Sequence, residues 1–206
     1  MVNLINIKQY FKDKLEKFGT TPKGLDWNST EAQNIRFDQL IKVINAHKYY
    51  SILDYGSGFG SLFDFLISQG HKFHYIGYDI VNEMVKKGRE THANYANCLF
   101  TDHEKDLSPV DYVVESGVFN VKQDEDYNEW TNYVLNTLEK MNNLARKGMA
   151  FNLLTNYVDA EYIRPDLYYA DPLFYFDYCK KKFSKNIALL HDYQLYDFTI
   201  IVRKEW

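Results

Sequence analysis

The segment Asp54–Gly60 reads Asp-Tyr-Gly-Ser-Gly-Phe-Gly and follows a short apolar run. Three glycines at alternate positions are typical of a turn that passes close to a ligand, because glycine has no Cβ in the way. A phosphate-binding P-loop would continue with Lys-Ser or Lys-Thr, whereas Ser61-Leu62-Phe63 follows here. A dinucleotide turn, Gly-x-Gly-x-x-Gly, matches Gly56 and Gly58 with Ser61 in third place, so a dinucleotide remains an alternative ligand.

Two acidic residues, Asp54 and Asp79, lie where apolar strands are predicted to end. The carboxylate of Asp79 can accept hydrogen bonds from both hydroxyls of a ribose. This role suits any nucleoside, including a nicotinamide cofactor, and capping of the following helix is the alternative. Asp54 favours a cationic ligand at the glycine turn, because a carboxylate beside the glycines attracts a cation and would repel a pyrophosphate.

Alternating apolar strands and helices predict the frame that positions these acids. Continuous apolar strands separated by helices favour a parallel sheet covered on both faces. The run 186–205 holds two β-rich segments with a short polar break, which predicts a terminal hairpin with one antiparallel strand. Strands are predicted at 50–55, 73–79, 98–101, 111–115 and 149–154, and helices at 60–69, 81–91, 125–146 and 172–183.

Two further helices are predicted before the first strand. One covers 5–18 and stops at Gly19, and the next begins at Asn28 or Ser29 with Glu31 in its first turn. We expect one domain over residues 1–206, with 1–47 as an N-terminal helical cap and 48–206 as the core.

Composition narrows the class of partner. The chain has 206 residues and a net charge of −4, which disfavours nucleic acid as the main substrate. Cys98 and Cys179 lack metal-ligand spacing, and this predicts a reducing compartment and no metal. The chain shows no apolar run long enough to span a bilayer and no secretory cleavage pattern, so we expect a cytoplasmic protein without a membrane partner.

The order of elements together with Asp54-x-Gly56-x-Gly58-x-Gly60 resembles the class I S-adenosylmethionine-dependent methyltransferases, over about residues 27–204. The resemblance implies an α/β fold: a Rossmann-like, doubly wound sheet of seven strands, mostly parallel, with a C-terminal antiparallel β-hairpin and helices on both faces. It also implies S-adenosylmethionine as methyl donor and S-adenosylhomocysteine as product. This donor has no phosphate and carries an ammonium and a sulfonium, which suits Asp54.

The resemblance also implies which residues hold the cofactor. Asp79 would bind the ribose and Asp102 the adenine amino group, while Arg36 on the preceding helix would pair with the cofactor carboxylate. The end of the fourth strand would pass below the methionine part. The implied cofactor contacts are Arg36, Asp54, Gly56, Ser57, Gly58, Asp79, Ile80, Asp102, Glu115 and Ser116.

The acceptor side is predicted from the N-terminal helices, the fourth strand and the insert 156–172, whose length favours a functional loop. His191, in the break of the final hairpin, and Tyr169 are candidate general bases for a hydroxyl acceptor. Ordinary loop packing is the alternative for the tyrosines, and a turn remote from the site is the alternative for His191. The predicted substrate contacts are Trp27, Phe119, Asn120, Arg164 and Tyr168.

The predicted reaction is methyl transfer to an oxygen, less readily a nitrogen, of a small molecule, in surface-polysaccharide or secondary metabolism. Such a displacement mainly needs aligned reactants and exclusion of water. An NAD-dependent short oxidoreductase is one alternative, although the Tyr-x-x-x-Lys pair of that class is missing from the helix after the fourth strand. A non-catalytic module that binds S-adenosylmethionine is the other. The sequence leaves open the acceptor, the need for a base and the oligomeric state.

Overall fold

From residue 50 onward, strands and helices alternate as the hydrophobic pattern predicts. The computed structural model describes residues 2–45 and 49–204. The α-helices are α1 Leu4–Phe18, α2 Thr30–Leu40, α3 Ser61–Ser68, α4 Asn82–Thr91, α5 Tyr127–Leu144 and α6 Pro172–Lys182. The strands are β1 Tyr50–Tyr55, β2 Phe73–Tyr78, β3 Cys98–Thr101, β4 Val110–Glu115, β5 Ala145–Thr155, β6 Tyr169–Ala170, β7 Asn186–Leu190 and β8 Asp197–Arg203.

The sheet has the strand order β3-β2-β1-β4-β5-β8-β7. Strands β1 to β5 are parallel, whereas β8 runs antiparallel to both β5 and β7. This confirms the predicted α/β class, with its seven-stranded sheet and terminal hairpin. The short strand β6, which pairs with the end of β5, adds an eighth. It lies in the insert 156–172, which the sequence predicted to lack regular structure.

Helices cover both faces of the sheet and create two cores. On one face, Trp130 and Leu138 of α5 and Tyr175 of α6 pack against strand residues such as Val113. On the other, helices α2, α3 and α4 contribute to a second cluster. The apolar strand residues therefore alternate between two buried surfaces, as a doubly wound sheet requires.

Two boundaries differ from prediction for physical reasons. The α-helical part of α2 ends at Leu40, and a 3₁₀ turn, Ile41–Val43, continues it. The predicted end of this helix and the cap boundary at 47 and 48 lie outside the described residues. Strand β5 begins directly after α5, earlier than predicted. The sequence pattern missed this start because Arg146 and Lys147 are polar, whereas the rest of the strand is mostly apolar.

The N-terminal helices are linked through Asp26. Its carboxylate accepts hydrogen bonds from the Tyr10 hydroxyl at 2.6 Å and from Lys14 Nζ at 2.5 Å, both on α1. Asp26 has a left-handed backbone, with φ of 62°, which turns the chain toward α2. Helix α2 begins where the Ser29 hydroxyl accepts the Ala32 N–H, so Ser29 is the cap.

A buried ion pair holds α2 against β8. Arg36 Nε lies 3.1 Å from Asp197 Oδ1, and Nη2 lies 2.5 Å from Oδ2. Arg36 is 8% exposed and Asp197 is fully buried. The guanidinium also lies 4.4 Å from the centre of the Trp27 ring. The pair therefore positions Trp27 as well as the helix.

We expect Asp197→Asn to lower the free energy of unfolding by about 3 kcal/mol, because it leaves a buried guanidinium without its countercharge. Asp177→Asn is the matched control, since it removes the exposed pair with Lys181 on α6 and should cost less than about 1 kcal/mol. Urea denaturation followed by circular dichroism measures both. Equal losses in the two variants would contradict a stabilising role for the buried pair.

Candidate active site

The glycine turn after β1 has the backbone that its sequence requires. Gly56, Gly58 and Gly60 have φ values of 90°, 53° and 100°, in the region that favours glycine. The N–H groups of Gly56 and Ser57 donate to the Tyr78 carbonyl at 2.7 and 2.9 Å. The turn is therefore attached to the end of the neighbouring strand β2.

Asp79 links this turn to the next helix. Its Oδ2 accepts the Gly58 N–H at 2.8 Å and its Oδ1 accepts the Val81 N–H at 2.8 Å. Burial raises the pKa of Asp79 to about 6, although the two backbone hydrogen bonds oppose that rise. Each carboxylate oxygen has a second lone pair, so the group can still accept from a ligand.

Asp54 is a second buried acid beside the turn, only 4% exposed. Burial raises its pKa to about 7, the hydrogen bond from the Tyr75 hydroxyl at 2.7 Å opposes the rise, and the charge of Asp79 adds to it. Two carboxylates in a dry setting disfavour an anionic ligand and favour a cationic one.

A cavity of about 170 Å³ lies over the turn, between the N-terminal helices and the carboxyl ends of the strands. Open α/β sheets bind their ligands at this edge. The structure brings together most of the predicted cofactor residues and one predicted substrate residue here: Asp54, Gly56, Ser57, Gly58, Asp79, Ile80, Ser116 and Trp27.

Apolar side chains from the N-terminal segment form the roof of this cavity. A Cβ placed on Gly58 would lie 2.5 Å from Leu25 Cδ2, and one on Gly117 would lie 2.7 Å from Trp27 Cζ2. Leu25 and Trp27 thus reach the backbone at positions where only glycine leaves room. The roof shields the turn from water.

The end of the cavity below α1 is aromatic and was missed by sequence reasoning. Tyr55, Tyr78 and Tyr133 line it, with the Tyr55 and Tyr78 rings 4.8 Å apart. Glu104 accepts the Tyr55 hydroxyl at 2.6 Å and Lys140 Nζ at 2.9 Å. These residues belong to no motif, because they come from different strands, a 3₁₀ turn and α5.

Arg36 and Asp102 do not line the cavity. Arg36 is engaged by Asp197, and its Nη1 donates to the Ala32 carbonyl at 2.9 Å. Asp102 accepts a hydrogen bond from Asn82 Nδ2 at 2.7 Å, and it is Glu104 that faces the cavity in this part of the chain. The predicted contacts of Arg36 with a carboxylate and of Asp102 with adenine therefore lack support from their positions.

The loop after β4 is held in position by residues that lie beneath it, namely Glu115, Phe119 and Asn120. Glu115 is fully buried, which raises its pKa well above its usual range, and its Oε1 accepts the Val118 N–H at 2.6 Å. Phe119 is a core residue, and Asn120 Oδ1 accepts the Leu154 N–H at 3.2 Å. These three residues position the loop and do not line the cavity.

The remaining predicted substrate and base residues also lie outside the cavity. Tyr168 is a core residue whose hydroxyl contacts those of Thr131 and Tyr175. Arg164 is exposed and paired with Asp166, and the Tyr169 hydroxyl donates to a carbonyl of its own insert. His191 is exposed directly after β7, against the Tyr157 and Phe198 rings.

Residues 2–45 and 49–204 include no helix that combines the length and the apolar character needed to cross a membrane. Within the same residues, the His, Cys, Asp and Glu side chains form no group of three that could hold a metal ion.

The fold and the glycine turn define a class I methyltransferase architecture, and comparison with solved structures agrees. The crystal structure of magnesium protoporphyrin IX methyltransferase from Synechocystis PCC 6803 with bound S-adenosylhomocysteine matches with a TM-score of 0.68 and 14% identity, covering 98% of this chain and 100% of that chain. N-methyltransferase NodS from Bradyrhizobium japonicum WM9, in complex with the same molecule, matches with a TM-score of 0.65 and 13% identity, covering 96% and 98%.

Comparison with known sequences assigns the chain to a family. No family model matches the chain. A protein of Mycobacterium tuberculosis (strain ATCC 25618 / H37Rv) named "Putative methyltransferase Rv1506c" is 44% identical over 164 residues, which are 80% of this chain and 99% of that protein. The chain belongs to the same methyltransferase family as this relative, and its fold is the one that the resemblance of its motifs implied.

Asp54 should make stability depend on pH. Its pKa of about 7 in the folded protein exceeds the ordinary value of 3.8, so the folded state holds the proton more tightly. Its contribution to stability is present at low pH and is lost as the pH rises to about 7. Asp54→Asn keeps an acceptor for Tyr75, and we expect its advantage over the parent to grow by at least about 1 kcal/mol between pH 5 and pH 8.

Urea denaturation at several pH values measures this difference. Asp38→Asn is the control, since Asp38 is exposed on α2 and outside the cavity. A constant difference between Asp54→Asn and the parent across this range would show that Asp54 is ionised at all these pH values.

Proposed function

We propose that this methyltransferase acts on a small molecule and transfers the methyl group to an oxygen, less readily to a nitrogen. The small volume of the cavity is the observation that carries the proposal, because α1, Leu25 and Trp27 form a roof over part of the glycine turn and limit the space beneath it. The net charge of −4 is also unfavourable for binding a polyanion. On the basis of the sequence resemblance, we propose that the reaction belongs to surface-polysaccharide or secondary metabolism.

The cavity residues fit the cofactor. Asp79 retains lone pairs for the ribose hydroxyls, and Gly58 brings backbone close to the ligand without a Cβ. Asp54 and Asp79 provide negative charge beside the turn, which favours a ligand with a positive sulfur. When bound, S-adenosylmethionine supplies a methyl group already activated by that sulfur.

The protein's own contribution is then alignment and exclusion of water. The loop after β4 carries Ser116 into the cavity and is supported from below by Glu115 and Asn120. The described lining includes no histidine, and His191 lies outside it. We therefore favour an acceptor oxygen that needs no early loss of a proton.

We further propose a single domain in which residues 1–47, which include α1 and α2, are the cap and residues 48–206 are the core. The cap supplies Leu4, Ile7 and Trp27 to the cavity. A cytoplasmic location suits Cys98 and Cys179, since both are free thiols.

Calorimetric titration tests the proposal directly. We expect S-adenosylhomocysteine to bind with a dissociation constant on the order of micromolar, about −8 kcal/mol, and NAD to bind poorly because Asp54 disfavours a pyrophosphate. Tight NAD binding without a response to S-adenosylhomocysteine would contradict it. Turnover of a panel of carboxylate, phosphate and hydroxyl acceptors then separates an enzyme from a binding module.

Gly58→Ala should weaken S-adenosylhomocysteine binding at least about tenfold, because its Cβ would enter the space between the turn and Leu25. Gly70→Ala is the matched control: its φ is also positive, at 75°, and its Cβ would meet no atom within 4 Å. Both variants should lose about 1 kcal/mol of stability from the strained backbone, and Gly58→Ala should lose more because Leu25 must shift. Equal ligand affinity in the two variants would place the ligand elsewhere.

A further inference from the structure

Gln33 on α2 is a buried amide without a protein partner. Its side chain lines the cavity, the residue is 4% exposed, and its Nε2 has no hydrogen-bond partner among the described residues. Buried polar groups in proteins are nearly always paired, because leaving one unpaired costs free energy. An unpaired amide that faces a ligand cavity therefore points to a ligand group that completes it.

Arg36, the cation next to Gln33, is already paired within the protein and is not available to bind the ligand. Arg36 lies one turn further along α2, where it binds Asp197 through Nε and Nη2 and the Ala32 carbonyl through Nη1. Its charge is neutralised by the buried carboxylate. The cavity wall near Gln33 is completed by Phe37, Ser61 and Leu62, none of which is charged.

The two ends of the cavity differ in chemistry. Asp79 also lines the cavity, where it can hold the ribose. The end below α1 is lined by the tyrosine rings Tyr55, Tyr78 and Tyr133, which suit the flat adenine. The end at α2 presents an uncharged amide and an apolar wall. That end suits the remaining part of the ligand, which is an amino-acid group with one positive and one negative charge.

We propose that Gln33 binds the amino-acid end of the cofactor, with Nε2 donating to the carboxylate and Oε1 accepting from the ammonium. A primary amide matches this group because it offers a donor and an acceptor on one side chain without adding charge. The inference rests on the assignment of S-adenosylmethionine as cofactor. It makes Gln33 the residue that distinguishes the complete cofactor from shorter adenosine thioethers.

The test compares S-adenosylhomocysteine with 5′-methylthioadenosine, which has the same adenine, ribose and sulfur but no amino-acid group. Gln33→Met keeps the length of the side chain and removes both polar atoms. Calorimetry should show about 30-fold weaker binding of S-adenosylhomocysteine, the loss expected for hydrogen bonds to charged groups. Binding of 5′-methylthioadenosine should stay within about twofold.

Gln39→Met is the matched control, because it makes the same change on α2 at a residue that does not line the cavity. Melting temperatures of all variants establish that they fold. If Gln33→Met does not fold, Gln33→Glu replaces it and should lose affinity for S-adenosylhomocysteine alone, through repulsion of the carboxylate.

Each remaining outcome has a definite meaning. Equal weakening of both ligands would show that Gln33 only packs against the site, and would overturn the proposal. An unchanged preference for S-adenosylhomocysteine in the variant would overturn it as well, while leaving the cofactor assignment intact. A parent protein that binds neither ligand would remove the cofactor assignment itself, and the role of Gln33 with it.

Discussion

The carboxylate of Asp79 is the contact on which the site depends. By accepting the N–H groups of Gly58 and Val81, it joins the turn after β1 to the start of α4 after β2. The three glycines of the turn have no side chains of their own, so their positions depend on such backbone contacts. The cavity, its roof and the aromatic end are all placed relative to this turn, which makes Asp79 a structural residue as well as a candidate ligand.

The cavity is lined by buried acids, tyrosines and an amide, and we propose that each group binds a different part of the cofactor. The buried acids Asp54 and Asp79 lie at the turn, the tyrosines at one end and the amide of Gln33 at the other. Arg36 on α2 is withdrawn from the ligand by its pairing with Asp197. Specificity is therefore expected to come from shape and hydrogen bonding, with the acids excluding anionic nucleotides.

The fold and the turn were predictable because their signals are local. Apolar runs, cap residues and the spacing of Gly56, Gly58 and Asp79 each depend on a few neighbouring residues. The roles of Arg36 and Tyr168 were not predictable, because each is decided by a partner far along the chain, Asp197 in one case and Thr131 in the other. Glu104 was missed for the same reason, since its partners Tyr55 and Lys140 come from separate elements.

The pairing of Arg36 with Asp197 spans 161 positions, from a helix made early to the final strand. Because a ribosome synthesises the chain from its N-terminus, α2 with the guanidinium of Arg36 emerges long before Asp197 has been added. Until β8 enters the sheet between β5 and β7, α2 lacks the partner that buries its charge, and Trp27 lacks its support. The position of α2 over the cavity is consequently expected to become fixed only after β8 has joined the sheet, late in the folding of this domain.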